Sequence, residues 1–444
     1  MTRRRLRLSR RGGEVSAAPA ALPSAGAGLP RLLSAKLPVY YGWVVLASLC
    51  CAGFARQGGA TATVSIFVEP LTHQFGWSRT AVSGAVSLGG VLAALVSPLI
   101  GPVLDRHGSR VALCLAVLGT GIATLLLSLT QSLFVFYLLF CIARLNWASP
   151  FDLGIYSALN TWFVARRPLA NSIATVAQMA GLVAMPMIAQ LATRGHGWRA
   201  GWIAIGATVL AVGFLPVWLL LVRRPEDLGL PPDPAAAAGG ARSAGLVEAA
   251  FSRRQAVRTP AFWLLLGYTV LVYPVQAGVS LHQAANLVES GVTPTLAASI
   301  VSLFSLMSGV ASAACGAMPR SLPVRYPMAL GGVFLTLGCL AMIDIASVPQ
   351  GAAAAALFGL GVGTMLTLLP VAWADYFGRA NYAAIRGLAL SAQVLAQASG
   401  PLLSGALHDW TGDYTRALEC FAALSFLSIL AALAARRPRL KVPS

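Results

Sequence analysis

Charge is scarce in this chain. Only 10% of its 444 residues are Asp, Glu, Lys or Arg, and just 14 are acidic. Soluble domains carry about 25% charged residues, so an ordinary water-facing surface is excluded. There is no phosphate-cradling Gly-rich loop, no Cys/His cluster at metal-ligand spacing and no convincing catalytic triad. ATP-driven chemistry, enzymatic function and any cofactor or metal therefore lack support. The seven cysteines (Cys50, Cys51, Cys114, Cys141, Cys315, Cys339, Cys420) fall in or beside apolar stretches and read as small buried residues, not as disulfides or ligands. No compact apolar run precedes residue 39, so a cleaved signal peptide is not expected.

Apolar sequence fills the space that charge leaves. Hydrophobic residues make up 57% of the chain and mean hydropathy is +0.73. Stretches of about 20 apolar residues, enough to cross ~30 Å of hydrocarbon, recur throughout. The expected fold class is an all-α membrane protein with twelve transmembrane helices in two six-helix halves. The spans are placed at 43–67, 80–104, 110–130, 133–161, 168–193, 199–222, 262–287, 294–318, 325–346, 350–374, 384–407 and 415–435.

The net charge of +18 reads as orientation, not as nucleic-acid binding. With both termini inside, 26 of the 32 Lys and Arg lie on one side. Four (Arg79, Arg194, Arg199, Arg416) lie on the other, and two (Arg56, Arg144) fall within spans. That asymmetry is the positive-inside pattern and sets both termini in the cytoplasm.

Composition also divides the chain. Residues 1–39, with Arg3, Arg4, Arg5, Arg7, Arg10 and Arg11, read as a disordered basic cytoplasmic tail. An N-terminal bundle (40–222) precedes a polar linker (223–260), a C-terminal bundle (261–435) and a short tail (436–444). Within the linker, Leu246, Val247, Ala250 and Phe251, followed by Arg253, Arg254 and Arg258, suggest a basic amphipathic helix on the inner membrane surface; the alternative is a simple tether.

An internal repeat appears at an offset of 215. Aligning 76–110 with 291–325 gives eight identities in 35 positions, among them Val86-Ser87-Leu88 with Val301-Ser302-Leu303, Gly101 with Gly316 and Arg110 with Arg325. Asp105 meets Arg320 and Gly108 meets Pro323, so the acid occurs in one copy only.

The polar hinge Gly101-Pro102-Val103-Leu104-Asp105-Arg106-His107-Gly108-Ser109-Arg110 resembles the G-x-x-x-D-R-x-G-x-R signature of major facilitator superfamily transporters. The resemblance implies alternating access and a gating role for Gly101, Asp105, Arg106, Gly108 and Arg110. It further implies that Asp105 contacts the start of the eleventh helix near Asn381–Ile385, as an acid docked on a helix N-terminus. The simpler reading is a solvated turn.

Ionisable residues inside spans are costly and tend to line cavities, pair or snorkel. Arg56, followed by Gln57, sits about 13 residues into the first span, near mid-membrane. Arg144 lies in the fourth span. The resemblance implies that both helices line the central cavity, where a guanidinium fork matches a carboxylate. Each arginine has a structural alternative as the partner of a buried acid. For Arg144 that acid is Asp152, ~80° around and ~12 Å along the helix, too far for direct pairing unless Pro150 kinks it. Asp152 is also a candidate for proton coupling. Gln178 and Trp373 are possible wall residues, with core packing the default. His282 is a possible substrate contact or simply a packed residue, and Asp344 and Asp375 read as capping or surface groups.

Tyr41-Gly42-Trp43, Phe75-Gly76-Trp77-Ser78-Arg79, Arg224-Pro225-Glu226-Asp227-Leu228 and Arg258-Thr259-Pro260 resemble the bacterial monocarboxylate-transporter-like branch, which includes oxalate–formate antiporters. That implies a bacterial plasma (inner) membrane setting, a small anionic substrate and function as a monomer. The chain departs from such relatives in having no charge in Thr295–Met318 and no lysine in the eleventh helix. An anion site then rests on Arg56 and Arg144, with Gln57, Gln178 and His282 beside them. Gly181-Leu182-Val183-Ala184-Met185-Pro186 is a degraded form of the drug-antiporter G-x-x-x-G-P motif. The leading expectation is secondary transport of a small carboxylate. Export of another solute, such as a drug or siderophore, and a non-transporting receptor remain as alternatives.

Overall fold

The computed structural model describes residues 28–233, 250–319 and 321–438. The expectations placed on the Arg3–Arg11 cluster, on Leu246 and Val247, on Arg320 and on residues 439–444 lie outside the described residues. All regular structure within them is helical.

Helix α1, Gly28–Lys36, occupies part of the tail expected to lack structure. The first expected span is two helices, α2 (Gly42–Arg56) and α3 (Thr61–Phe75), parted by a tight turn at Gln57–Gly59. Two adjacent glycines disfavour a continuous helix there, and Ala60 is extended at φ −74° and ψ 153°. The Thr63 hydroxyl satisfies the freed Gln57 carbonyl at 2.7 Å.

Helix α4, Arg79–His107, starts at Ser78, whose hydroxyl accepts from the Ala81 N–H, and ends at Gly108 with φ 86°. Then follow α5 (Ser109–Leu127), α6 (Leu133–Ala148), α7 (Pro150–Trp162), α8 (Arg167–Thr208) and α9 (Leu215–Leu220). Ser149, at φ −127° and ψ −72°, separates α6 from α7. Gly197 at φ 80° interrupts α8 between the expected fifth and sixth spans. After the linker come α10 (Arg253–Val257), α11 (Pro260–Glu289), α12 (Pro294–Gly316), α13 (Arg325–Ala341), α14 (Val348–Phe377), α15 (Tyr382–Thr411) and α16 (Thr415–Ala434).

Eight helical stretches among the described residues are long and apolar enough to cross a membrane. One of them, Arg167–Leu220, is 54 residues long and holds two expected spans. Of the remaining expected spans, the first is split, α13 is shorter and α15 is more polar. Outward faces carry exposed Leu95, Leu99, Phe134, Leu191 and Leu402, the pattern of a hydrocarbon-facing surface.

Within the linker, Phe251 departs from the expectation of a membrane-facing apolar group. Helix α10 is five residues long, held by a reciprocal cap between Ser252 and Gln255. Phe251 and Ala256 are buried in the protein, and the Phe251 N–H donates to the Phe377 carbonyl at 3.2 Å. Those apolar groups dock on the second half and do not face a membrane. The cysteines are free, but Cys420 is exposed and Cys50 and Cys51 are only partly buried, so the buried reading holds for the other four.

The repeat is visible in the helix starts. Arg79 and Pro294, Leu133 and Val348, and Arg167 and Tyr382 each open a helix and differ by 215 positions. Residues 28–233 and 250–438 form two bundles that meet along two related seams, α4 on α15 and α12 on α8.

Candidate functional site

A cavity of about 180 Å³ lies between the bundles. The first half lines it with Arg56, Gln57, Asp152, Tyr156 and Gln178, among others; the second contributes Tyr273, Gln276, Arg386, Gln393 and Gln397.

Arg56 ends α2, just before the glycine turn. Its Nε donates to the Trp147 carbonyl at 2.8 Å, Nη1 to Gln178 Oε1 at 2.7 Å and Nη2 to Asp152 Oδ2 at 3.3 Å. Its guanidinium also lies over the Trp147 ring, 4.7 Å from the centroid. Gln178 reaches it because α8 runs hard against α2: a Cβ on Gly181 would lie 2.7 Å from the Phe54 carbonyl oxygen. Gln178 also donates to the Tyr156 hydroxyl at 3.2 Å, and Gln57 accepts from the Trp147 indole at 3.1 Å.

Asp152 sits in the first turn of α7, where a carboxylate suits the positive end of the helix. The break at Ser149 does occur beside Pro150, yet Asp152 pairs with Arg56 and not with Arg144. Its other oxygen faces Arg386 of the second half at 3.6 Å.

Arg386 was not expected here. Its position two residues into a span starting at 384 counts it with the cytoplasmic-side charges; in the structure it belongs to the second turn of α15 and is 1% exposed. Nη2 donates to Gln393 Oε1 at 2.7 Å, while Nε and Nη1 find no hydrogen-bond partner. One signal was available: Arg386, Gln393 and Gln397 recur at helical spacing on an otherwise apolar stretch.

Two expected contacts are absent from the cavity. Arg144 is half-buried behind Trp147, its guanidinium 4.0 Å from the ring centroid, with Nε and Nη1 enclosed and unpartnered. Its stem fills the space left by Gly89, so packing turns it away from the cavity. His282 belongs to a separate, smaller crevice, with Nδ1 3.2 Å from the Gly278 carbonyl and its ring beside Tyr414. Trp373, 1% exposed, packs in the core against Phe262 and Phe377.

The hinge makes the contact that the resemblance implied. Asp105 accepts from the Ala383 N–H at 3.1 Å and from the Ala384 N–H at 2.8 Å, at the start of α15. These are unpaired donors of a helix N-terminus. Gly101 makes the approach possible: a Cβ there would collide with the Ala383 carbonyl oxygen and lie 2.8 Å from Ala384 Cα. Arg110 donates to the Trp218 carbonyl at 2.6 Å, and Arg106 is exposed. Gly108 supplies the positive φ between α4 and α5, and Arg223 packs where its Cβ would be.

Further ties join the halves at the same end. Arg167 of α8 bonds Asp375 of α14 at 2.9 Å, so Asp375 is an inter-bundle partner and not a cap. Arg379 donates to the Thr161 carbonyl at 3.0 Å and pairs with Glu226 at 2.7 Å. Farther along the α4–α15 seam, away from that end, Ser391 donates to the Ala94 carbonyl at 2.6 Å.

Known proteins are similar to this chain in sequence and in fold. The family model for the Major Facilitator Superfamily matches residues 48–282 and 277–444. The membrane sensor protein UhpC of Salmonella typhimurium is 28% identical over 358 residues, covering 76% of this chain and 80% of the relative. Monocarboxylate transporter 3 of Rattus norvegicus is 27% identical over 400 residues, covering 88% of this chain and 78% of the relative. Among solved structures, the proton:xylose symporter XylE has a TM-score of 0.67 at 14% identity, covering 88% of this chain and 94% of that one. The human organic anion transporter MFSD10 has a TM-score of 0.68 at 15% identity, covering 89% and 100%. At those identities the structures speak for the fold alone.

Proposed function

Because the chain belongs to the major facilitator superfamily, a family of membrane transporters and not of enzymes, we propose that it moves a small organic anion, a carboxylate, through the cavity between its halves. One observation carries this reading. The cavity sets two guanidinium groups, Arg56 and Arg386, against a single carboxylate, Asp152. With all three ionised it holds one uncompensated positive charge away from water, and an anion of unit charge neutralises it.

The proposed arrangement is twelve spans with both termini cytoplasmic, an N-terminal bundle over 40–222, a linker over 223–260 and a C-terminal bundle over 261–435. In that orientation the Asp105 end faces the cytoplasm and is closed, which corresponds to an outward-facing carrier, and alternating access proceeds by the bundles rocking about the cavity. Arg56 is the primary anion contact, Gln178 both holds it and joins Gln57 in facing the anion, and Asp152 is the candidate group for proton coupling. Arg144 supports the site from behind Trp147. The proposed setting is a bacterial plasma membrane, with the monomer as the working unit.

Uptake of radiolabelled acetate, lactate and gluconate into proteoliposomes, with and without a pH gradient, tests the reading. Losing one charged contact costs about 1.5–3 kcal/mol, so Arg56→Gln is expected to cut uptake at low substrate about 10- to 150-fold. Because the change leaves Asp152 with one partner fewer, the Arg56→Gln/Asp152→Asn pair serves as the charge-balanced check. Full carboxylate uptake by both variants refutes the anion site.

Similarity to a protein named as a membrane sensor favours a second reading, a receptor that binds an anion without moving it. Saturable carboxylate binding without uptake of any of the three probes would select it.

A further inference from the structure

Arg386 stands at a junction that no other charged residue of the cavity occupies. Its guanidinium lines the cavity, and it lies three residues from Ala383 and two from Ala384, the amides that hold Asp105. The first two turns of α15 therefore carry both the gate contact and a cavity cation. A helix turn moves as a unit, so a displacement at one is felt at the other.

The link from Arg386 to the first half is loose. Its distance to Asp152 Oδ1 is 3.6 Å, beyond hydrogen-bond length, and Oδ1 itself accepts no hydrogen bond. Nε and Nη1 of Arg386 are buried and unpartnered, and each shares an edge of the guanidinium with Nη2, so a carboxylate on either edge gains a charge-assisted bond that Asp152 does not make. The amides around it leave a donor-rich wall. The Gln57, Gln276 and Gln393 oxygens accept from Trp147, Gln397 and Arg386 respectively, so their NH₂ groups are the uncommitted ends.

We infer that Asp152 is a built-in stand-in for the ligand, and that Arg386 exchanges Asp152 for the carboxylate of the transported anion and so passes occupancy of the cavity to the Asp105 gate. The inference rests on the anion-transport reading. In the empty carrier, Asp152 draws Arg386, and with it the start of α15, towards the first half, supporting closure at the Asp105 end. A bound carboxylate on the Nε/Nη2 or Nη1/Nη2 edge satisfies Arg386 better than Asp152 does. The cross-bundle pull on α15 then falls away, and the gate is left to Asp105 and the flanking ties. Arg386 is thus both an anion contact and the residue that couples binding to opening.

Spin labels at His107→Cys and Arg254→Cys, in a chain whose seven native cysteines are replaced by alanine, read the separation of the halves at the gate. Both sites are exposed, and α10 is tied to the second half. With no ligand, Asp152→Asn is expected to shift the closed-to-open ratio towards open about tenfold, within the usual range of allosteric coupling. Acetate, lactate and gluconate serve as carboxylate probes. Whichever of them the parent chain transports is expected to shift the ratio the same way, and to have no effect on it in Arg386→Gln. Arg386→Lys keeps the charge without the fork and is expected to recover less than half of the ligand-induced shift. An Asp152→Asn chain that stays as closed as the parent overturns the inference, as does an Arg386→Gln chain that still responds to the carboxylate. Should Arg386→Gln fail to fold, the Arg386→Gln/Asp152→Asn pair replaces it, and a retained response in that pair overturns the inference equally. A parent chain that transports none of the probes sinks the anion reading itself, a result separable from the other two.

Discussion

Asp105→Asn isolates the gate contact with the smallest change in shape. In the parent, both carboxylate oxygens accept from backbone N–H groups at the start of α15, at 3.1 Å and 2.8 Å. Each bond to a charged acceptor contributes about 1.5–3 kcal/mol. The asparagine carbonyl keeps one of them as a neutral bond of about 1 kcal/mol, and its NH₂ group faces the other N–H as donor against donor. The attraction between carboxylate and helix N-terminus, about 0.3–1 kcal/mol at such sites, is lost as well. These terms sum to about 2–6 kcal/mol; Asp105 is partly exposed, and solvent screening keeps the loss at the lower end, about 2–3 kcal/mol, or roughly 30- to 150-fold in the ratio of closed to open at this end. A carrier closed 99 times in 100 would fall to between roughly 3:1 and 2:3. Distance distributions between the labels at positions 107 and 254 measure that ratio. Populations unchanged within about twofold, the scatter expected of an ordinary surface substitution, would show that Asp105 caps a helix without holding the gate.

Three further outcomes follow from the geometry. Gly101→Leu places a side chain against the Ala383 carbonyl oxygen and Ala384 Cα; it is expected to open the same end without touching charge, and a closed distance distribution in that variant refutes the close-approach argument. His282→Gln is expected to leave carboxylate uptake within about twofold, because His282 lies in a crevice apart from the cavity; a tenfold rise in KM would return it to the site. Arg144→Leu removes a buried guanidinium with two unpartnered nitrogens and is expected to hold or raise the thermal unfolding midpoint while changing KM less than Arg56→Gln does. The opposite ranking of the two KM effects would make Arg144 the principal anion contact.

The sequence carried the gate further than the cargo site, for a physical reason. A gate built from a tight turn must use a glycine where backbones touch and an acid where a helix begins, so residue type and spacing both leave a trace at Gly101 and Asp105. The helix offset of 215 likewise survives in sequence because it governs element length. A cavity is assembled from one residue on each of several helices, and which way each side chain turns depends on its neighbours. Arg56 and Arg144 look alike in sequence, both in apolar spans and each close to a side-chain amide, Gln57 and Asn146. Only the packing of Gly89 and Trp147 sends one into the cavity and the other behind it. Arg386 was missed for a different cause: it falls in the first turn of the span expected at 384–407 and was counted with the charges of the cytoplasmic side, although the helix buries it. The cavity cation of the second half, absent from Thr295–Met318, sits there instead.

The two seams between the bundles are related by the repeat but are tied differently. At one, Asp105 binds the N–H groups that open α15; at the other, the helix opened 215 positions earlier, α8, offers the side chain of Arg167 to Asp375. Arg167 is 4% exposed and also donates to the Asn160 carbonyl at 3.2 Å, but Asp375 is 39% exposed. Solvent screening at that partner limits the pair to about 1 kcal/mol or less. Asp375→Asn is therefore expected to shift the gate ratio no more than about fivefold, well short of Asp105→Asn. Both seams must part for the bundles to rock as rigid bodies, so the two losses belong to one equilibrium. They share no partner, and their free energies should add. The double variant is then expected to show a shift equal to the product of the single shifts, read by the same label pair. A double variant no more open than Asp105→Asn alone would mean that the Arg167 seam parts on its own, and rigid-body closure at this end would have to be abandoned.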